Sequence, residues 1–216
     1  MTKASGKTRK PREDGVRTRE AILAAAGAEF AKNGFELASM REICRAAQCN
    51  CALAARYFEN KETLYRTVAQ RLFGELGRPM AEVADKAKDA KSWREAVREW
   101  VDDFLFMTIP TSEPQKLCRG LFRNEVVRPT KFHAEFVRKY GEPIYRSLYA
   151  LVSKAERDPV KVDLWTSSIW SQISVYALAD VSWQKSFRPK GVTDAEWRKT
   201  LGGFICDNIF SVLAPK

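Results

Sequence analysis

Apolar residues recur at helical spacing along almost the whole chain, which predicts an all-α protein. A first helix starts near Val16, sets Ile22, Leu23, Ala26 and Phe30 on one face, and stops at Asn33-Gly34, a C-cap signal. Met40, Ile43, Cys44 and Ala47 form the stripe of a second helix, with Ser39 as its cap and Glu42 completing a capping box. A turn follows at Gln48, Cys49 and Asn50. Asn50 caps a short third helix from Cys51 to about Tyr57, whose small residues leave a smooth surface. Two short helices joined by a tight turn have the shape that enters a DNA major groove. Asn60 then caps a long helix through about Leu76, with Leu64, Val68, Leu72 and Leu76 every fourth residue. Arg78-Pro79 marks the expected domain boundary. The resulting division is a disordered basic arm at 1–15, a three-helix head with a linking helix at 16–78, and a second helical domain at 79–216.

The second domain carries its own punctuation. Met80 to about Ala90 reads as a modest amphipathic helix, and Ser92 with Glu95 as a capping box opening a helix that ends before Pro110. Helices follow over about 112–127, 132–140 and 143–154, interrupted by Pro129 and Gly141. Asp158-Pro159 opens a helix expected to reach about Trp183, apolar around much of its girth, and Thr193 with Glu196 opens the last one. A helix apolar on more than one face must bury more than one face. Either its own domain covers both or a second copy covers one. The expectation is a symmetric homodimer through Ile169, Ile173, Leu201, Phe204, Ile205 and Ile209.

Charge sharpens the picture. The 216 residues carry a net charge of +10, and positions 1–19 hold seven Lys and Arg against Glu13 and Asp14. Such a tail either binds a polyanion by counterion release or simply solvates the chain. No apolar run reaches the roughly 18–20 residues needed to span a bilayer, so the expected place is the cytoplasm. Five cysteines without a secretory signal argue against a disulfide framework.

The segments "ILAAAGAEFAKNGF", "SMREICRAAQCN" and "YFENKETLY" together resemble the head of the tetracycline-repressor (TetR) family of bacterial transcriptional regulators over about residues 17–70. Residues 118–145 are more weakly similar to the C-terminal domain of a CecR-type subgroup. The chain departs from the family at Gln48, where the turn usually has Gly, and at Ala55, where a phosphate-contacting Tyr is usual. The resemblance implies a repressor released from a palindromic operator by a small molecule. Its partners would be double-stranded DNA, that effector and a second copy, with no membrane and no cofactor.

Carried onto this chain, the resemblance implies roles that side-chain chemistry supports. Arg41 offers a planar fork to a guanine edge. Cys51, Ala52 and Leu53 suit thymine methyls, Arg56 reaches base or phosphate, and the Tyr57 hydroxyl suits a phosphate. Lys61 at a helix start grips a phosphate, and the tail through Arg17 follows the neighbouring groove or backbone. Ser39 and Asn50 set the two helix starts. Cys44 and Cys49 stand where the family has small core residues, while Cys51 at a helix N-terminus is a candidate for oxidation. A zinc site would need a fourth ligand, and the single histidine, His133, lies far along the chain.

For the effector pocket the candidates are Trp100, Phe104, Arg119, Phe122, Arg123, Trp165, Gln172 and Tyr176, aromatics with a few polar groups. Arg119 and Arg123, one turn apart, either hold an acidic ligand or pair with Glu125 and its neighbours. Two other readings remain open: a DNA-binding protein without a ligand, and an enzyme with a basic tail. Against the enzyme stand one histidine and the lack of any nucleophile–base or phosphate-loop pattern.

Overall fold

A computed structural model describes residues 11–179, 186 and 188–214. Among these every regular element is a helix, and the chain divides into two compact units, 1–68 and 69–216.

In the first unit, α1 (Pro11–Leu37) is broken near its end by Gly34, whose φ of 72° and ψ of 177° are open to glycine alone without strain. The break turns Phe35 back onto Phe30 and Tyr65, with ring centroids 6.4 and 5.2 Å apart respectively. α2 (Met40–Ala46) and α3 (Cys51–Phe58) follow, and α4 (Lys61–Glu82) begins behind Asn60, whose Oδ1 accepts from the Thr63 N–H at 2.9 Å. Ile22, Phe30, Ile43, Ala54 and Leu64 are fully covered and make the core of this unit. The expected arm at 1–15 lies outside the described residues as far as residue 10. From Pro11 onward the chain is already helical, five residues before the expected start.

The linking helix does not end at Arg78-Pro79. α4 runs on to Glu82 and a 3₁₀ turn (Val83–Lys86) completes it, so no separate helix spans 80–90. The division instead falls inside α4, after Val68. The reason is packing: Tyr65 meets Phe30 of α1 edge-on at 5.0 Å, whereas Phe73 meets Phe136 and Tyr140 at 4.7 and 5.3 Å. One helix thus serves two cores, a fact its continuous stripe conceals.

The second unit comprises α5 (Ala90–Thr108), α6 (Glu113–Val127), α7 (His133–Phe136), a π turn (Val137–Gly141), α8 (Glu142–Ser153), α9 (Pro159–Leu178) and α10 (Asp194–Val212). α5 is the central element, packed by α6, α8, α9 and α10. Its cap is Asp89 with Ser92 closing the box from the third helical position, so Ser92 is an inner member rather than the cap. Trp93 on α5 donates its indole N–H to the Leu151 carbonyl at 2.8 Å and meets the Phe210 ring at 5.7 Å. The Thr193–Glu196 box forms as expected, with Oγ1 and Oε2 each accepting the other residue's N–H at 3.2 and 2.9 Å. α9 stops at Leu178; the expected extension to Trp183 lies outside the described residues.

Candidate nucleic-acid interface

The turn between α2 and α3 is built from the backbone outward. Gln48 sits at a φ of 53°, in the left-handed region, while the Cys49 N–H reaches back to the Cys44 carbonyl at 2.9 Å. This is the reverse turn that closes many helices, usually with glycine at the left-handed position. Glutamine adopts the same geometry at a cost, so the substitution strains the turn without redirecting it. Asn50 then accepts the Leu53 N–H at 2.7 Å and starts α3 in register.

The start of α2 differs from its predicted box. Ser39 accepts the Glu42 N–H at a long 3.4 Å, and the Glu42 carboxylate pairs with Arg45. The Ser39 N–H is taken by Glu29 of α1 at 3.1 Å, the same carboxylate that accepts from Asn33 at 3.0 Å. Glu29 therefore ties the end of α1 to the start of α2. Its place on the polar side of the first helix gave no sign of that.

α3 buries Ala54 and Phe58, one turn apart, and turns Cys51, Ala52, Ala55 and Arg56 outward, with Leu53 and Tyr57 half-buried at the margins. Arg41 and Arg56 are exposed and have no ion-pair partner among the described residues. Arg17 is exposed and stands 3.8 Å from Asp14. The Tyr57 hydroxyl lies over α1 at Gly15, where an added Cβ would come within 3.2 Å of it. The Lys61 ammonium donates to the Glu36 carbonyl at 3.1 Å and sits 4.8 Å from the Phe35 ring centre, so part of its capacity closes the α1 break. Arg19, not singled out by its sequence position, lays its guanidinium 5.4 Å from the Phe58 ring centre.

A capped, small-residue helix behind a tight turn, backed by two helices and flanked by unpaired arginines, has the form of a helix-turn-helix. Residues 22–68 match the family model described as bacterial regulatory proteins, tetR family. Over these residues the head is similar to the DNA-binding region of that family. No curated protein matches the chain. Solved structures share the fold over nearly the whole length. HlyIIR, a hemolysin II transcriptional regulator, is 21% identical with a TM-score of 0.56, over 94% of this chain and 99% of that one. A transcriptional regulator from Rhodococcus sp. RHA1 is 18% identical with a TM-score of 0.66, over 90% and 97%. The FadR regulator from Bacillus subtilis, in complex with stearoyl-CoA, is 13% identical with a TM-score of 0.59, over 88% and 98%.

The second unit redistributes the residues expected at a pocket. Trp100 and Phe104 are buried in an aromatic cluster with Trp170, at centroid separations of 4.6 to 6.3 Å. Arg119 donates to the Tyr176 and Ala179 carbonyls at 3.1 and 2.5 Å, capping the C-terminus of α9. Gln172 is exposed and donates to Ser168 at 3.4 Å, so it faces away from the interior. Phe122, Arg123, Trp165 and Tyr176 are half-buried. Glu125 is fully buried and accepts from the Thr130 hydroxyl at 2.8 Å, with His133 Nδ1 3.7 Å away. Three buried polar atoms stand without a hydrogen-bond partner on helices around the cluster: Trp100 Nε1, Ser147 Oγ and Ser174 Oγ.

The residues expected at a dimer contact also need correcting. Ile169, Ile173, Ile205 and Ile209 are buried inside a single chain, because these are the faces that α9 and α10 turn toward their own unit. Leu201 is half-buried, and only Phe204 of the six is exposed, at 63%. The outward apolar residues of α9 are Val160, Leu164 and Val175, and of α10 Phe204 and Val212. No described helix is long and apolar enough to cross a membrane.

Proposed function

We propose that the chain is a ligand-responsive, sequence-specific repressor that binds a palindromic DNA site as a homodimer in the cytoplasm. The observation that carries this reading is the outer surface of α3. Cys51, Ala52, Ala55 and Arg56 project from a capped helix and are exposed among the described residues, and Arg41 extends the same chemistry from α2. Small side chains let the helix backbone approach base edges closely, while an arginine fork reads guanine or grips phosphate. Arg17 of α1, Lys61 of α4 and Tyr57 at the margin of α3 supply positioning contacts, with Ser39 and Asn50 setting the helix starts.

The regulatory half of the reading rests on the second unit. A buried donor or acceptor without a partner costs about 1–3 kcal/mol. Trp100, Ser147 and Ser174 each leave one such atom, that of Trp100 within the aromatic cluster, and a small-molecule site needs a few polar groups beside apolar walls. An effector satisfying them would stabilise one state of the protein, and its leverage on DNA equals its differential affinity for the two states. Exposed Leu164, Val175, Phe204 and Val212 supply an apolar surface for a second copy.

Selection of bound fragments from genomic DNA tests the reading. Enrichment of a palindromic motif, and its release by a compound from a metabolite panel that includes long-chain acyl thioesters, is the expected result. Enrichment without release by any compound would leave a ligand-independent regulator. No enrichment over bulk DNA, with turnover of a substrate, would replace the reading by an enzymatic one.

A further inference from the structure

α5 and α10 run antiparallel: Trp93 and Arg94 meet Phe210, Asp102 and Leu105 meet Gly202, and Phe106 meets Arg198. Toward the Phe106 end lies a cleft of about 450 Å³. Asp102, Asp103 and Phe106 form one wall, and Ala195, Arg198 and Lys199 the other. Its size is that of a small-molecule site, roughly 300–1,000 Å³. It is separate from the aromatic cluster described above. Phe104 faces Trp170 of α9, whereas Asp102 and Phe106, two residues to either side of it, face α10.

Charge is divided between the walls. α5 supplies two carboxylates, and α10 supplies a guanidinium and an ammonium. Among the described residues no ion pair bridges the two walls. The groups are nonetheless seated. An added Cβ at Gly202 would come within 2.8 Å of Asp102 Oδ1, so glycine makes room for that carboxylate against α10. The Arg198 guanidinium lies 4.8 Å from the Phe106 ring centre, and its Nη1 is buried without a hydrogen-bond partner among the described residues. An unpaired buried donor is costly. The carboxylates are short of counter-charge as well. Partial burial raises both above the ordinary aspartate value, and Arg198 and Arg98 offset this only in part for Asp102. Lys86, whose charge acts on Asp103, is paired with Glu99. Phe106 leaves 40% of its surface open beside these charges.

We propose that this cleft binds a free α-amino acid with an apolar side chain. The ligand's ammonium lies against the Asp102 and Asp103 carboxylates. Its carboxylate accepts from Arg198 Nη1 and is attracted by Lys199, and its side chain covers Phe106 and Ala195. A ligand of one sign would gain on one wall and be repelled by the other, whereas a zwitterion gains on both. Two negative and two positive groups cancel, so the cleft selects for a dipole across it rather than for net charge. The guanidinium fork adds geometric preference for a carboxylate.

Titration calorimetry of the full chain without DNA tests the site, so its outcome does not depend on the repressor reading. The probes are L-leucine and L-phenylalanine, each beside the amine that lacks its carboxylate and the acid that lacks its amino group. The expected result is saturable binding of at least one amino acid, one per chain, with both one-charge relatives at least about tenfold weaker. Arg198→Gln and Asp102→Asn should each weaken binding at least about tenfold. Ala195→Trp fills the cleft from an exposed position without touching a charge, and should abolish binding even if a charge variant fails to fold. Far-ultraviolet circular dichroism checks the fold of each variant. Lack of saturable binding by either amino acid, equal binding of a one-charge relative, or binding that survives Arg198→Gln or Ala195→Trp would overturn the site. If amino-acid binding is seen and no DNA is selected, the site stands and the repressor reading falls.

Discussion

Gln48 occupies a left-handed position that costs a residue with a Cβ about 1–2 kcal/mol. Gln48→Gly should therefore raise the unfolding free energy by about 1 kcal/mol after allowing for glycine's greater freedom when unfolded, as denaturant titration would show. Its DNA affinity should hardly change, because the turn already has the shape glycine would give. Arg56 behaves oppositely. It is exposed and has no ion-pair partner among the described residues, so Arg56→Ala should leave stability intact and weaken the selected site by about 1–3 kcal/mol, measured by fluorescence anisotropy against a scrambled fragment. Lys61 carries two tasks, since its ammonium also closes the α1 break over Phe35. Lys61→Met should lower stability by about 0.5–1.5 kcal/mol as well as weakening binding at low salt. Sequence position alone identified Arg56 and Lys61 as candidates. It could not distinguish a free cation from an engaged one, because that depends on a carbonyl 25 residues away.

At the scale of elements, helix starts are where the local code is most readable. Asn50, Asn60, Asp158 and Thr193 all cap the helices that follow them. Two expected boxes changed membership instead. Asp89 displaced Ser92 as the cap of α5, and Glu29 displaced Glu42 in taking the Ser39 N–H. In both cases several residues nearby had suitable chemistry, and the surrounding packing chose among them. The caps of α5 and α10 also leave a titration signature. Hydrogen bonds from Ser92 hold the Asp89 carboxyl below its usual range, and those from Thr193 do the same for Glu196. A carboxylate with a lowered folded pKa contributes stability that is complete above its unfolded pKa and fades as pH falls through the folded one. Melting temperatures should accordingly drop between about pH 5 and pH 3, and an Asp89→Asn, Glu196→Gln double variant should drop less steeply over that window.

For the whole molecule, the second copy matters most. Of the six residues expected at the contact between copies, four are interior to one chain. The outward apolar set, Leu164, Val175, Phe204 and Val212, takes their place in the proposal. Phe204→Glu should convert a dimer to a monomer in sedimentation with its far-ultraviolet circular dichroism unchanged. Affinity for a palindrome should fall by about 10²–10⁴, the advantage lost when two heads no longer act together. A dimer that persists in this variant would move the contact elsewhere.

The chain's own order of residues determined the helix count of the head, its capped turn and the outward placement of small residues on α3. These depend on spacing and on neighbours within one or two turns, where backbone geometry leaves few choices. Only the tertiary structure decided which face of each long helix is core. α9 and α10 are apolar on several sides, and periodicity cannot rank those sides when all are apolar; packing against α5 did. The same holds for α4, whose single stripe feeds two units, and for Arg119, which caps α9 from a helix 57 residues earlier in the chain.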